Sequence, residues 1–379
     1  MAASAYALRP SSADRWVHCE GSVSLCAPFP DDDTPEAREG TAAHWAATEP
    51  LAGRVVNAGD VAPNGVVITE EMIEGAALYQ ATVYSKIQPA WIRAEDVLPI
   101  PEVHEQNGGT IDTWGLGYAP WLLHVIDYKF GHGFVEVFEN WQLLDYVSGI
   151  VSYLVREGIA PADYEQLIEV ELTIVQPRNY HRDGPVRSWR VKLADLRAQF
   201  NLLRGQAQLA MEPNAATRTG EWCYYCPARH VCRTLQNSTM QIADRAGDST
   251  PLVLDPNQLG NELRWLHHAR KLLDARITGH ESEALSMIRA GKRVAHFGTE
   301  FGESREVWKD GLEPAIIELG KMLGHDLAKP QAAITPNQAR KKGIDAAVIS
   351  EYAHRPPGAL KLVPMDTTQT RKIFGGNAT

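Results

Sequence analysis

At 379 residues with 44% hydrophobic content, the chain is long enough for a substantial core and for two domains. Its formal net charge of -10 argues against a general nucleic-acid coat protein, which needs clustered cations. No basic segment followed by an apolar run opens the chain, and no apolar stretch is long enough to span a bilayer, so a soluble, cytoplasmic protein with no membrane partner is expected.

The first element expected is a short helix that Ser11 and Ser12 can cap, with Asp14 in its first turn, ending near Gly21 and leaving Cys19 at its end. Asp31 to Asp33, followed by Thr34 and Pro35, read as an exposed loop. EAREGTAAHWAATEPL then reads as a helix carrying His44. The spacing of Ile68, Met72, Ile73, Ala76, Tyr79, Val83 and Ile87 predicts an amphipathic helix. Residues 1–100 hold 14 Asp/Glu against 6 Lys/Arg, so cations for phosphate must come from elsewhere.

Two strand-type runs follow, Gly109 to Leu116 and Leu122 to Tyr128, separated by Gly117 and Pro120, and they predict a hairpin. Asp112 lies in the first strand. Asp127 ends the second, with Lys129 two residues on and on the same face. Two carboxylates and an ammonium at one end of a sheet suit a divalent metal held against a phosphate. Past the turn at Gly131 and Gly133, Asn140 to Leu154 is helical in pattern, and Gln142 and Tyr146 share one face.

Gln166 to Gln176 and Val186 to Leu193 predict two more paired strands, joined through Asp183 and Gly184. Arg178, Arg182, Arg187, Arg190, Lys192 and Arg197 crowd this stretch against Asp183 and Asp195. It is either a phosphate-facing surface, with Arg178, Arg182, Arg187 and Arg190 on DNA, or a strand edge protected by charge. Next, EWCYYCPARHVCR places Cys223, Cys226 and Cys232 in a C-x2-C-x5-C spacing, which in an intracellular protein favours a metal site over disulfides. The fourth ligand is open among Cys19, Cys26 and His230; with His230 the site is a local zinc site. After about residue 240 a linker leads to a long helix with Leu259, Leu263, Leu266, Leu273 and Ile277 on one face, interrupted near Gly279. Short strands are expected over 293–308, and a basic tail carries Arg340, Lys341, Lys342, Arg355, Lys361, Arg371 and Lys372. The chain has no G-x-x-x-x-G-K-[ST], hence no ATP site of its own of that type, and no G-x-S-x-G or H-E-x-x-H.

The series EGTAAH, GGTID, an apolar strand ending in DYK, and QLLDY resembles the nuclease core of the RecB-like branch of the PD-(D/E)XK superfamily. The resemblance implies an α/β restriction-endonuclease-like core, a central mixed sheet flanked by helices, over 1–240, with a helical and mixed C-terminal extension over 241–379. It implies a Mg2+- or Mn2+-dependent deoxyribonuclease, an exonuclease rather than an endonuclease. The metal ligands would be His44, Asp112, Asp127 and the carbonyl of Tyr128, and the catalytic set Asp112, Asp127, Lys129, Gln142 and Tyr146. In iron-sulfur members of that branch one upstream Cys joins three behind the core, which implies a [4Fe-4S] cluster on Cys19, Cys223, Cys226 and Cys232, with Zn2+ the alternative and Cys26 left over. Gln176, Pro177 and Arg178 resemble a feature of a phage-associated group, which implies a phage- or prophage-encoded protein in a bacterial cytoplasm. DNA would be its substrate and a single-strand annealing or other recombination protein its partner. A non-cutting protein of the same fold is the alternative.

Overall fold

The structure is a computed structural model that describes residues 6–29, 34–118, 121–179, 181–245 and 253–298. Its helices are α1 (Ala13–His18), α2 (Ser22–Cys26), α3 (Pro35–Thr48), α4 (Glu70–Lys86), α5 (Trp141–Arg156), α6 (Tyr164–Leu167), α7 (Arg197–Ala210), α8 (Arg233–Arg245) and α9 (Pro256–Arg289). Its strands are β1 (Arg93–Pro99), β2 (Gly108–Tyr118), β3 (Trp121–Tyr128), β4 (Glu169–Val175) and β5 (Val186–Lys192). The chain divides into two compact units, Met1–Gly291 with Asp366–Thr379, and Lys292–Met365. The first unit therefore runs past residue 240 and through α9.

The fold is α/β, with one mixed five-stranded sheet in the order β1-β2-β3-β4-β5 and helices on both faces. The expected hairpin forms: β2 and β3 are antiparallel, with Thr113 opposite Ile126 and Tyr118 opposite Trp121. β3 and β4 run parallel, Asp127 opposite Ile174, which requires a crossover, and α5 is in it. β4 and β5 close the sheet as a second antiparallel pair.

Side chains divide the sheet into two cores. Leu123, Val125, Val170 and Leu172 pack with Trp16, Leu143, Val147, Ile150 and Leu203, which come from α1, α5 and α7. Ile126, Tyr128 and Val175 pack with Ala43, Ala47, Met72, Tyr79 and Val83, which come from α3 and α4. The alternation along β3 follows the two-residue period of a strand, so Asp127 shares the face of Leu123 and Val125 and looks toward α5. Each deeply buried Leu, Val or Ile contributes about 1.5–3 kcal/mol by leaving water.

Local chemistry sets the ends of the helices that matter. Asn140 caps α5 by accepting the Leu143 N–H at 3.2 Å, and Thr34 caps α3 from Ala37 N at 3.1 Å. Ser12, expected as a cap of α1, instead donates to Arg9 O at 3.0 Å, and α1 has no side-chain cap. The expected apolar face of α9 is also not the buried one. Leu259, Leu266, Leu273 and Ile277 are exposed, while Ala269, Leu272, Ala275 and Gly279 are buried. Nor does Gly279 interrupt the helix. A Cβ there would stand 2.6 Å from Arg229 Cγ and 3.2 Å from His230 N, so the glycine lets α9 lie flat on the cysteine segment. No strand occupies 292–298, and the rest of the expected 293–308 strands and the basic tail lie outside the described residues. Among the described residues no helix is long and apolar enough to cross a membrane.

Candidate functional site

The polar residues of β2, β3, α3 and α5 meet at one end of the sheet. β2 and β3 place Asp112 beside the end of β3, where its Oδ2 accepts the Tyr128 N–H at 2.7 Å. α3 brings His44 Nδ1 to 3.5 Å from the same oxygen. On β3, Asp127 is buried, and Lys129 Nζ lies 2.9 Å from its Oδ2 and 3.2 Å from its Oδ1. Only the longer contact has hydrogen-bond geometry, so Oδ2 has no hydrogen-bond donor. Gln142, one residue into α5, fills the remaining side: its Nε2 donates to Asp127 Oδ1 at 2.8 Å and its Oε1 accepts from Lys129 Nζ at 3.1 Å. Tyr146, one helical turn on, donates to Thr110 O at 2.6 Å and so ties α5 to β2.

Electrostatics follow from this crowding. Burial pushes the Asp127 carboxyl above its ordinary range, Lys129 opposes that, and the Asp112 carboxylate adds to it. Burial alone would depress Lys129, but Asp127 and Asp112 outweigh it and hold the ammonium above its ordinary value. The Tyr146 hydroxyl is pushed well up, first by burial and then by Asp112 and Asp127.

A residue the sequence reasoning missed stands at the same place. Glu95 lies across from Asp112 in the β1–β2 ladder, between the pairs Ala94–Thr113 and Asp96–Ile111, and its backbone has φ +50°. Left-handed backbone in a non-glycine strand residue is strained and concentrates at functional sites. Although the residue as a whole is exposed, partial desolvation of its carboxyl raises it, followed by Asp112, with His44 opposing. The signal in the sequence was β1 itself, which the pattern of Arg93, Glu95 and Asp96 concealed.

The donor set suits a divalent cation. Two carboxylates, one with an orphaned buried oxygen, are the hard ligands such ions take, and the imidazole beside them is a borderline nitrogen donor. As they stand, no three His, Cys, Asp or Glu side chains among the described residues share one complete ligand arrangement.

The proposed phosphate-facing arginines have other partners. Arg178 lies on Phe130, its guanidinium 3.8 Å from the ring centroid, and grips Glu39 of α3 at 2.7 and 2.8 Å and Glu71 of α4 at 2.8 and 3.1 Å. Arg187 is buried and donates to Gly184 O, Val135 O and Gln176 Oε1. Arg190 pairs with Glu169, and Arg182 lies 3.8 Å from Asp183. Arg178 and Arg187 are thus engaged by protein groups within the fold. Gln176 extends this bracing, donating to Gly131 O at 2.8 Å and Gly133 O at 2.5 Å, so it fixes the loop that follows Lys129.

The cysteines converge from opposite ends of the first unit. Cys19, Cys223, Cys226 and Cys232 line one small cavity with Arg15, Ser22 and Leu235. His230 is absent from that lining; its Nε2 lies 4.0 Å from Glu283 and its ring meets Phe29 edge-on. Backbone N–H groups serve three sulfurs: Arg218 N to Cys19 at 3.3 Å, Gly220 N to Cys223 at 3.4 Å, and Leu235 N to Cys232 at 3.5 Å. Such donors favour thiolates. Burial works the other way and pushes the Cys19 thiol up and that of Cys223 to about 11, so a cation is what would make the anionic forms stable there. Cys26, expected to stand apart, lies 3.4 Å from Cys226 sulfur to sulfur.

Gly21 permits the approach of the two ends, since a Cβ there would sit 2.5 Å from Ala215 O. Over residues 6–370 the chain matches the model of the family described as "Protein of unknown function (DUF2800)", and it belongs to that family.

Proposed function

We propose that the chain is a metal-dependent DNA nuclease of the RecB-like PD-(D/E)XK kind, acting on DNA ends, with an iron-sulfur cluster on Cys19, Cys223, Cys226 and Cys232. The observation that carries this reading is the convergence of His44, Asp112, Asp127, Lys129 and Gln142 at one end of a mixed sheet. Asp112, Asp127 and His44 would hold Mg2+ or Mn2+. When bound, such an ion polarises a phosphoryl oxygen and makes water a better nucleophile.

The chain's own residues do the rest. Lys129, kept charged by Asp127 and Asp112, sets a cation where negative charge grows on the phosphate during attack. Gln142 holds Lys129 and Asp127 in one register through its two amide ends, so neither swings away when substrate arrives. Tyr146 fixes the helix bearing Gln142 to the strand bearing Asp112.

The test is hydrolysis of linear single- and double-stranded DNA with Mg2+ or Mn2+, by wild type, Asp112→Ala, Asp127→Ala and Lys129→Ala. Both aspartate variants should be folded and inactive. Lys129→Ala should lower kcat more than it weakens DNA binding, because its contact strengthens in the transition state. Full activity in either aspartate variant overturns the assignment.

A further inference from the structure

Two aromatic rings stand in solvent beside the loop that follows Lys129. Tyr225, between Cys223 and Cys226, is 77% exposed, and Phe134 is 46% exposed. They are neighbours through Gly133: the Tyr225 hydroxyl lies 4.0 Å from where a Cβ on Gly133 would stand. Both are held in place. Arg15 Nη1 donates to Tyr225 O at 3.2 Å, and the Tyr225 ring meets Tyr224 edge-on at 4.8 Å. Phe134 stacks on His181 at 4.5 Å with 29° between the planes, and the Arg187 guanidinium sits 4.9 Å from its centroid. Gln176 pins the loop itself through Gly131 and Gly133.

Leaving a large apolar side chain in water forgoes about 1.5–3 kcal/mol relative to burying it. Two such rings on neighbouring braced segments are therefore suited to a ligand that covers them. The guanidinium of Arg15 at the Tyr225 carbonyl and that of Arg187 against the Phe134 ring stand beside the two rings and suit an anionic ligand. A ligand that is planar, carries a π-face and is joined to an anion is a nucleotide, and only an unpaired one leaves its base face open to a ring.

We propose that Tyr225, with Phe134 beside it, forms a stacking platform for unpaired nucleobases that flank the phosphate at Asp112, Asp127 and Lys129. This rests on the nuclease reading and deepens it by naming frayed or single-stranded ends as the form engaged. The cysteine loop then serves recognition, because Cys223 and Cys226 bracket the ring that meets the base.

The experiment is fluorescence anisotropy in EDTA, where nothing is cut, with a labelled oligothymidylate of about 12 nucleotides and a blunt duplex of similar length. Stacking contributes about 1–3 kcal/mol per base, so Tyr225→Ala should weaken the oligothymidylate about tenfold or more and leave the duplex unchanged. Phe134→Ala should act in the same direction. Tyr225→Trp and Tyr225→Phe should restore binding, which a merely structural role of the hydroxyl or the loop would not permit. Metal content of each variant shows whether the cysteine site persists. Unchanged oligothymidylate binding by Tyr225→Ala, failure of Tyr225→Trp to rescue, or equal loss on both probes overturns the platform. Wild type that cuts DNA while Tyr225→Ala binds normally sinks the platform alone, whereas wild type that neither binds nor cuts removes the nuclease reading as well.

Discussion

Asp145 lies on α5 between Gln142 and Tyr146, fully buried, and its carboxyl accepts from the Asn107 Nδ2 at 3.0 and 3.1 Å. Burial pushes its carboxyl from 3.8 to about 8, with Asn107 opposing and Glu102 adding. The folded chain therefore keeps a proton that the unfolded chain releases near pH 4. Stability from this group falls as pH rises between about 4 and about 8. The cost works out at about 2 kcal/mol at pH 5 and about 4 kcal/mol at pH 7. Asp145→Asn removes the titration. Its new amide also offers a donor to the Asn107 Oδ1, which is buried without a hydrogen-bond partner. The measurement is urea unfolding of both proteins at pH 5 and pH 7, with stabilities compared at each pH so that all other titrating groups cancel. The variant should gain on wild type by about 2–3 kcal/mol more at pH 7 than at pH 5. An equal difference at the two values would show that Asp145 titrates alike in folded and unfolded chains and would refute the reasoning.

Three further outcomes follow from the same geometry. Glu171, held low at about 2 by the His124 Nδ1 3.1 Å from its carboxylate and by Lys86, contributes stability that is present above about pH 4.5 and is lost as pH falls toward 2; Glu171→Gln should cost about 2–3 kcal/mol at pH 7 and little at pH 2.5, read by urea unfolding. Arg178→Ala leaves Glu39 and Glu71 facing each other without their cation, and should lower stability by about 2–4 kcal/mol while raising the Mn2+ concentration needed for activity, because α3 carries both Glu39 and His44; Arg178→Lys, lacking the bidentate fork, should restore only part. Cys19→Ala should deplete bound iron and abolish visible absorption in anaerobically purified protein, whereas Cys26→Ala should retain iron; a colourless wild type with stoichiometric zinc would count against the cluster.

The residues that sequence patterns located best are those whose chemistry is local. Asp112 stood inside one strand of a hairpin, Asp127 and Lys129 at the end of the other, and Gln142 and Tyr146 at helical spacing, so their meeting followed from a hairpin and a helix alone. Asp145 sits among them yet its burial was illegible, since an acid inside a helix looks solvated until the neighbouring loop places Asn107 over it. The partners of the arginines were illegible for the opposite reason. A run of positive charge shows no partner in one dimension, and Glu39 and Glu71 lie 139 and 107 residues away from Arg178. Strand β1 was hidden because it is an edge strand whose Glu95, Val97 and Pro99 remain exposed, so the apolar alternation is incomplete. In α9 the buried face is built of Ala269, Ala275 and Gly279, small residues chosen for close approach, which hydrophobic periodicity weights below the exposed leucines.

The meeting of Cys19 with Cys223, Cys226 and Cys232 also sets a timetable for the nascent chain. With synthesis at about 5–20 residues per second, the two sides of the pocket leave the ribosome about 10–40 seconds apart. During that interval α1 and α2 have emerged while the segment from Ala215 to Arg218, which meets Gly21 and Cys19, has not been made. The earliest-made helices are thus the last to be locked, and until the cysteine segment arrives their thiols are open to any oxidant or stray metal the cell presents. On the iron-sulfur reading proposed above, a brief shortage of iron would act first on half-made chains.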